Sequence, residues 1–202
     1  MMGSMVRIVI GFAVVCGLTL GSALTSAADS GFKYIGAKKC KTCHKKELIG
    51  DQYGKWAKAG HANAFKTLLG EKAISVAKEK GISGAPSEAA ECLECHATAA
   101  TLGAGDVEKK PLNNSDGVQC ESCHGPGSAY KKKKVMADHD KSLAAGLLVP
   151  DEKTCVKCHN DTSPTWTSFD YAEAKEKIDH SIPKDVKGKY IEVEKARKAE
   201  GK

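Results

Sequence analysis

The pattern Cys-x-x-Cys-His occurs four times in this 202-residue chain and is the group of residues best suited to chemistry. Two thiols at this spacing can add to two vinyl groups on one edge of a porphyrin, while the adjoining imidazole reaches the iron. The pattern therefore predicts four covalently bound c-type haems with their iron. The first to fourth motifs are Cys40-Lys41-Thr42-Cys43-His44, Cys92-Leu93-Glu94-Cys95-His96, Cys120-Glu121-Ser122-Cys123-His124 and Cys155-Val156-Lys157-Cys158-His159.

Paired cysteines also build structural zinc sites, and they can form disulfides. Neither alternative requires a histidine directly after the second cysteine, yet all four copies have one in a chain with only seven histidines. Haem is therefore the favoured interpretation. The predicted thioether anchors are Cys40, Cys43, Cys92, Cys95, Cys120, Cys123, Cys155 and Cys158, and the predicted proximal iron ligands are His44, His96, His124 and His159.

A low-spin haem takes a second axial ligand, and the motifs leave three histidines to supply it. We predict that His61, His139 and His180 are distal iron ligands. Met136, three residues before His139, is expected to be a packing residue. Four sites and three imidazoles then predict one iron with an open position.

The N-terminus has the pattern of a secretory signal peptide. Arg7 precedes an apolar run over residues 8–20, and the small residues Ser26-Ala27-Ala28 follow. We predict that residues 1–28 are removed and that the chain is periplasmic, with an extracellular location as the alternative. A retained membrane anchor is also open, although the run is shorter than the ~20 residues of a spanning helix. Export agrees with haem attachment, because that step takes place outside the cytoplasm.

Composition predicts a small polypeptide core and argues against nucleic-acid binding. Without residues 1–28, four haems would share 174 residues with an aromatic content of only 5% over the whole chain, so haem would form much of the core. The formal charge of +6 includes Arg7, and eight haem propionates would offset the remaining +5. Residues 131–134, four lysines, are therefore expected to be solvated surface; any partner docked there would be an acidic redox protein.

Local patterns predict a mainly α-helical, loop-rich and compact fold. Strand signals are weak, and no linker divides residues 29–183, which we take as one haem-binding domain followed by a charged, peripheral tail at 184–202. Helices are predicted in the second half of 45–69 with His61 facing inward, over 71–80, from Pro86 through the second motif, after Asp151, and after Asp170 towards His180.

Three stretches resemble the tetrahaem cytochrome c-554 family. They are Lys33-Tyr34-Ile35-Gly36, the run from Gly117 through the third motif to Gly125-Pro126-Gly127-Ser128, and Cys158-His159-Asn160 with Ser163-Pro164 and Phe169-Asp170 after it. The likeness covers roughly residues 32–183. It implies a mainly α-helical fold with closely stacked haem pairs.

The same resemblance implies which histidines share an iron. His139 would complete the haem on His44, His180 the haem on His124, and His61 the haem on His159. The haem on His96 would be five-coordinate and high-spin. These pairings rest on the family likeness, because spacing along the chain does not determine them.

Covalent haem predicts an electron carrier more readily than an enzyme. The expected partners are redox proteins, with a membrane quinol oxidoreductase as one candidate donor. Two alternatives stay open: reduction of a small nitrogen oxide at the five-coordinate haem, and a subunit of an extracellular cytochrome polymer, in which the chain would be a homo-oligomer. Catalysis would also need a positioned proton donor, and the sequence around the second motif does not identify one.

Overall fold

A computed structural model gives the fold, and it describes residues 31–187 together with 189, 192, 195, 196, 199 and 200. The predicted signal peptide lies outside the described residues, as does part of the predicted tail. Short 3₁₀ segments and turns connect the helices. The helices are α1 (Ala37–His44), α2 (Gln52–Lys58), α3 (Gly60–Thr67), α4 (Glu71–Glu79), α5 (Ala90–His96), α6 (Cys120–His124), α7 (Lys133–Met136), α8 (His139–Ala144), α9 (Glu152–Cys155) and α10 (Tyr171–Ile178).

The prediction of a mainly α-helical fold is confirmed. The extended pairing seen in the described residues is an isolated parallel bridge between Tyr34 and Val107. In this part of the chain, no helix combines the length and the apolar character that crossing a bilayer would require. Loops therefore form much of the chain between the motifs.

Capping residues explain where several helices begin. The Asp151 side chain accepts a hydrogen bond from the Thr154 amide at the start of α9. Asp170 does the same for the Glu173 amide at the start of α10. Both positions match the sequence expectation, because an aspartate oxygen satisfies an amide that has no partner inside the first turn.

Two predicted helices differ from the structure in their bounds. The helix expected around His61 is divided at Ala59, whose backbone is extended (ψ 165°), so α2 and α3 are separate helices. The helix carrying the second motif begins at Ala90 rather than near Pro86. Ala59 and Ala89, the N-cap residues of α3 and α5, make no side-chain cap hydrogen bond, so no sequence signal marked either start.

Met136 and His139 do not share one helix. Asp138 is extended between α7 and α8, and its side chain accepts a hydrogen bond from the Lys141 amide 3.2 Å away. Capping by Asp138 starts a new helix at His139, so the two side chains lack the spacing of adjacent turns.

The polypeptide buries few large apolar side chains. In the described residues, the central cluster consists of Leu68, Leu93 and Ala97, with Phe65 and Cys92 packed against it. A core of this size suits a chain in which a prosthetic group supplies apolar surface, as its composition predicts. Val186 is only 4% exposed, so packing continues into the predicted tail.

A buried carboxylate joins the N-terminal segment to the third motif. Glu121 is 1% exposed. Its oxygens accept hydrogen bonds from the amides of Ile35 (3.0 and 3.1 Å), Gly36 (2.7 Å) and Gly127 (2.7 Å). Burial raises the pKa of Glu121, whereas the hydrogen bonds from these amides lower it. This network holds the residues before α1 against α6.

Gly127 is required for this contact. A Cβ atom at position 127 would lie 3.0 Å from Glu121 Oε1 and 2.9 Å from Ile35 Cδ1. Glu121 is held in place by its amide partners, so a side chain at position 127 would disturb this buried network. The glycine in the Gly-Pro-Gly sequence after the third motif therefore has a packing role.

Replacing Glu121 with Gln should destabilise the holoprotein. The amide has one acceptor oxygen, so at least one of the three buried backbone N–H groups would lose its partner, at a cost of roughly 1–3 kcal/mol. Chemical denaturation followed by circular dichroism measures this loss. The matched control is Glu176→Gln, on the exposed side of α10, which should change stability by less than about 0.5 kcal/mol. Equal stabilities of the two variants would contradict the role of Glu121.

Candidate haem-binding sites

Each motif lies at or just after a short helix. Helices α1, α5 and α6 end at His44, His96 and His124, the last residues of the first three motifs. In the fourth motif α9 ends at Cys155, and a turn follows in which the His159 amide donates to the Cys155 carbonyl (3.0 Å). One helical turn thus brings both thiols and the imidazole of a motif to the same neighbourhood.

The motifs meet through their cysteines in an order that differs from the chain order. Cys40 of the first motif and Cys120 of the third share a hydrogen bond. Cys123 of the third motif interacts electrostatically with Cys155 of the fourth. Cys158 of the fourth shares a hydrogen bond with Cys95 of the second. The spatial order is therefore first, third, fourth, second.

Four histidines direct their Nδ1 atoms towards hydrogen-bond acceptors. His96 Nδ1 lies 2.8 Å from the Ala64 carbonyl, His124 Nδ1 3.2 Å from that of Leu148, and His180 Nδ1 2.7 Å from that of Ile178. His44 Nδ1 lies 3.3 Å from Gln52 Oε1. A carbonyl accepts, so Nδ1 carries the proton, and Nε2 is the nitrogen that remains for a metal.

Two pairs of histidine rings have the separation of ligands on opposite sides of one metal ion. The ring centroids of His61 and His159 are 6.0 Å apart, and those of His124 and His180 are 5.8 Å apart. Imidazole nitrogen binds a metal such as zinc at roughly 2.0 Å, which places two opposed ring centroids roughly 6 Å apart. Both pairs are those that the family resemblance implies.

The remaining histidines are not paired in this way within the described residues. His139 is exposed at the start of α8, and no contact joins it to His44, so that pairing stays a prediction. The neighbours of His44 include Gln52 and His180. No ring contact pairs His96 with a second histidine in the described chain, and its Nδ1 also lies 3.2 Å from Thr67 Oγ1.

Three histidines lie in surroundings that favour the neutral imidazole that metal binding needs. Burial lowers the pKa of His44, His61 and His124, and nearby imidazoles lower it further. A neutral imidazole offers a free lone pair, whereas an imidazolium does not. Ring packing adds support at the fourth motif, because Phe169 stacks on His159 with centroids 4.9 Å apart.

These observations fit haem better than zinc. The motif cysteines are free thiols, and within the described residues no three His, Cys, Asp or Glu side chains converge as metal ligands. A structural zinc site needs four such ligands around one ion. Separate thiol pairs, each beside one imidazole, are what covalent attachment to a porphyrin requires.

Three site residues were not predicted from the sequence: Gln52, Thr98 and Ser122. Gln52 contacts a motif histidine, and the hydroxyls of Thr98 and Ser122 are 2.6 Å apart beside the third motif. Thr98 reaches Ser122 through the tertiary fold, because the two residues lie 24 positions apart in the chain. Gln52 lies only eight residues after His44, but a turn, rather than a recognisable motif, directs it there.

Known proteins support the haem interpretation. A family model described as cytochrome c554 and c-prime matches residues 39–125. Cytochrome c-554 of Nitrosomonas europaea is 31% identical over 137 residues, which are 64% of this chain and 53% of that protein. Residues 39–125 therefore resemble the cytochrome c554 and c-prime family. These likenesses support a multihaem c-type cytochrome, a class of electron-transfer protein with covalently bound haem.

A second relative belongs to the same broad class. The C-type polyheme cytochrome OmcB of Geobacter sulfurreducens is 29% identical over 96 residues, 45% of this chain and 11% of that protein. The chain thus spans about half the length of the first relative and about a tenth of the second. No solved structure matches the chain.

Replacing His61 with Gly should convert one low-spin iron of the holoprotein to high spin. The substitution removes the ring opposite His159, and added imidazole should restore the low-spin signal. Electron paramagnetic resonance measures both effects. The control is Ala62→Gly, which loosens α3 by a similar amount, roughly 1 kcal/mol, without removing a ring. An unchanged low-spin count in His61→Gly would show that His61 is not an iron ligand.

Proposed function

We propose that the chain is a tetrahaem cytochrome that carries single electrons between redox proteins on the outer side of the cytoplasmic membrane. The observation that carries the proposal is the pairing of His61 with His159 and of His124 with His180, at 6.0 and 5.8 Å. Two imidazoles bound to one iron would leave no position for a substrate. Such sites suit electron transfer rather than catalysis.

Different residues have different roles at each proposed haem site. Haem iron, when bound, supplies a one-electron couple. The motif cysteines would anchor the haems, His44, His96, His124 and His159 would bind the four irons, and His61 and His180 would supply a second imidazole at two of the sites. Acceptors at Nδ1 orient the imidazoles and increase their basicity. His139 is proposed as the third distal ligand.

The contacts between motifs support a single relay. Hydrogen-bonded cysteines bring the first motif to the third and the fourth to the second, and the third lies beside the fourth. Neighbouring redox sites would follow that order, so the first and second motifs form its two ends. An electron entering at one end would have a continuous series of near neighbours.

A cluster of lysines borders the first motif, and we name it the Glu108 lysine cluster: Lys39, Lys109 and Lys131 around Glu108, together with Lys110, the residue after Lys109 in the chain. Lys131 Nζ lies 2.5 Å from Glu108 Oε2. The hydrogen bond from Lys131, followed by the charges of Lys131, Lys109 and Lys39, lowers the pKa of Glu108. One carboxylate therefore faces several cations. This excess of positive charge beside one end of the relay would attract an acidic redox partner.

Reduction of a nitrogen oxide at the second motif is the alternative that the sequence leaves open. The absence of a ring paired with His96 in the described residues fits an accessible iron. Two closed sites elsewhere, however, are better explained by electron transfer. A catalytic role would also require a proton donor next to that iron.

The secreted protein should carry four haems. Intact mass spectrometry should give the mass of the polypeptide plus four haem groups, and substituting both cysteines of one motif with Ala should remove one of them. Reductive titration should then count four irons in the unmodified protein and three in the variant. A bare polypeptide, or metal bound to sulfur without porphyrin, would contradict the proposal.

Reversing charge in the Glu108 lysine cluster should slow electron exchange with an acidic redox protein. The change is Lys109→Glu with Lys110→Glu, and stopped-flow mixing at low ionic strength should show a rate at least about tenfold lower. The difference should shrink at high salt, because screening weakens attraction between surfaces. The matched control carries the same charge change on α4, Lys72→Glu with Lys78→Glu. Equal slowing by both pairs would point to net charge alone.

A further inference from the structure

His44 differs from His96 and His124 because its Nδ1 contact in the described residues is to a side chain and not to a main-chain carbonyl; His96 Nδ1 also lies 3.2 Å from Thr67 Oγ1. The Nδ1 atoms of His96 and His124 face main-chain carbonyls of Ala64 and Leu148. His44 Nδ1 instead faces the side-chain oxygen of Gln52 at 3.3 Å. A side chain can be changed by substitution without altering the backbone. The residue at position 52 can therefore alter the reduction potential of the first site without altering the other three.

The amide of Gln52 is held in a defined orientation. Its Nε2 group donates a hydrogen bond to the Ile49 carbonyl, so Oε1 is the atom left to face His44. The preceding residue, Asp51, adopts a left-handed conformation (φ 44°) and caps the Gly54 amide at 3.1 Å. For a residue other than glycine this conformation costs energy, and such strain is retained where the surrounding structure fixes the turn.

The same turn contacts the segment that carries His180. Gly50 has φ 99°, and a Cβ atom there would lie 2.8 Å from the Ser181 carbonyl and 3.3 Å from Pro183 Cδ. Burial and the proximity of His180 both lower the pKa of His44. Gly50 and Asp51, which precede α2, therefore bring this part of the chain against the His180 segment, and Gln52, the first residue of α2, faces His44.

A hydrogen bond from Nδ1 changes how strongly an imidazole donates electrons through Nε2. A better acceptor at Nδ1 increases the basicity of the ligand, which favours the more positive, oxidised metal. We propose that Gln52 is a positioning residue that sets the reduction potential of the first site by accepting a hydrogen bond from His44. This inference rests on the proposed function, because it needs a redox-active metal on His44.

Two substitutions in the full-length holoprotein test the direction in which the hydrogen bond from His44 to Gln52 shifts the reduction potential. Gln52→Leu removes the acceptor and should move one midpoint potential to a more positive value. Gln52→Glu supplies a stronger acceptor and should move the same potential to a more negative value. Spectropotentiometric titration should find the other three potentials unchanged, and one low-spin resonance should shift its g values in each variant. Tyr53→Phe, in the same helix, should leave all the potentials in place.

The outcomes separate this inference from the proposed function. If both Gln52 variants keep four reducible haems but shift no potential, or shift it in the same direction, the role of Gln52 is overturned. If the unmodified protein itself lacks four reducible haems, the proposed function fails first. Haem content and far-ultraviolet circular dichroism identify a variant that has not folded; in that case Gln52→Asn, which keeps an amide on a shorter stem, should give a positive shift, and no shift would overturn the inference.

Discussion

The close approach of imidazole rings to one another is the constraint on which the rest of the structure depends. His61 meets His159 and His124 meets His180 across about 6 Å, although each pair comes from segments far apart in sequence. Two rings can be held at that separation only if their helices, turns and caps are fixed. The short helices, the Asp151 and Asp170 caps and the network around Glu121 all contribute to this fixing.

The sequence predicts the chemistry of the sites better than their arrangement. A motif of five residues contains two anchors and a ligand within one helical turn, so local spacing is sufficient to recognise it. The helix caps at Asp151 and Asp170 are local in the same sense. The break at Ala59 and the start of α5 at Ala90 depend on backbone conformations that helical periodicity does not show, and these were the points where the predicted helix bounds were wrong.

Local sequence patterns do not predict contacts between segments that lie far apart in the chain. Local sequence identifies Glu121 only as a member of the third motif, yet its carboxylate accepts hydrogen bonds from the amides of Ile35, Gly36 and Gly127. Gln52 carries no motif at all. The family resemblance implied the histidine pairings. The ring centroids of two of these pairs lie about 6 Å apart, and the described residues show no contact between His139 and His44. Tertiary packing, rather than propensity, determines each of these contacts.

The spatial order of the motifs has a consequence for how the protein is made. The first and second motifs leave the ribosome before the others, but they lie at opposite ends of the series, and the third and fourth come between them. A nascent chain that extends only to residue 119 would hold the first and second motifs without the two motifs that lie between them. Under the proposed function, electron transfer from one end of the series to the other would therefore require the C-terminal half of the chain.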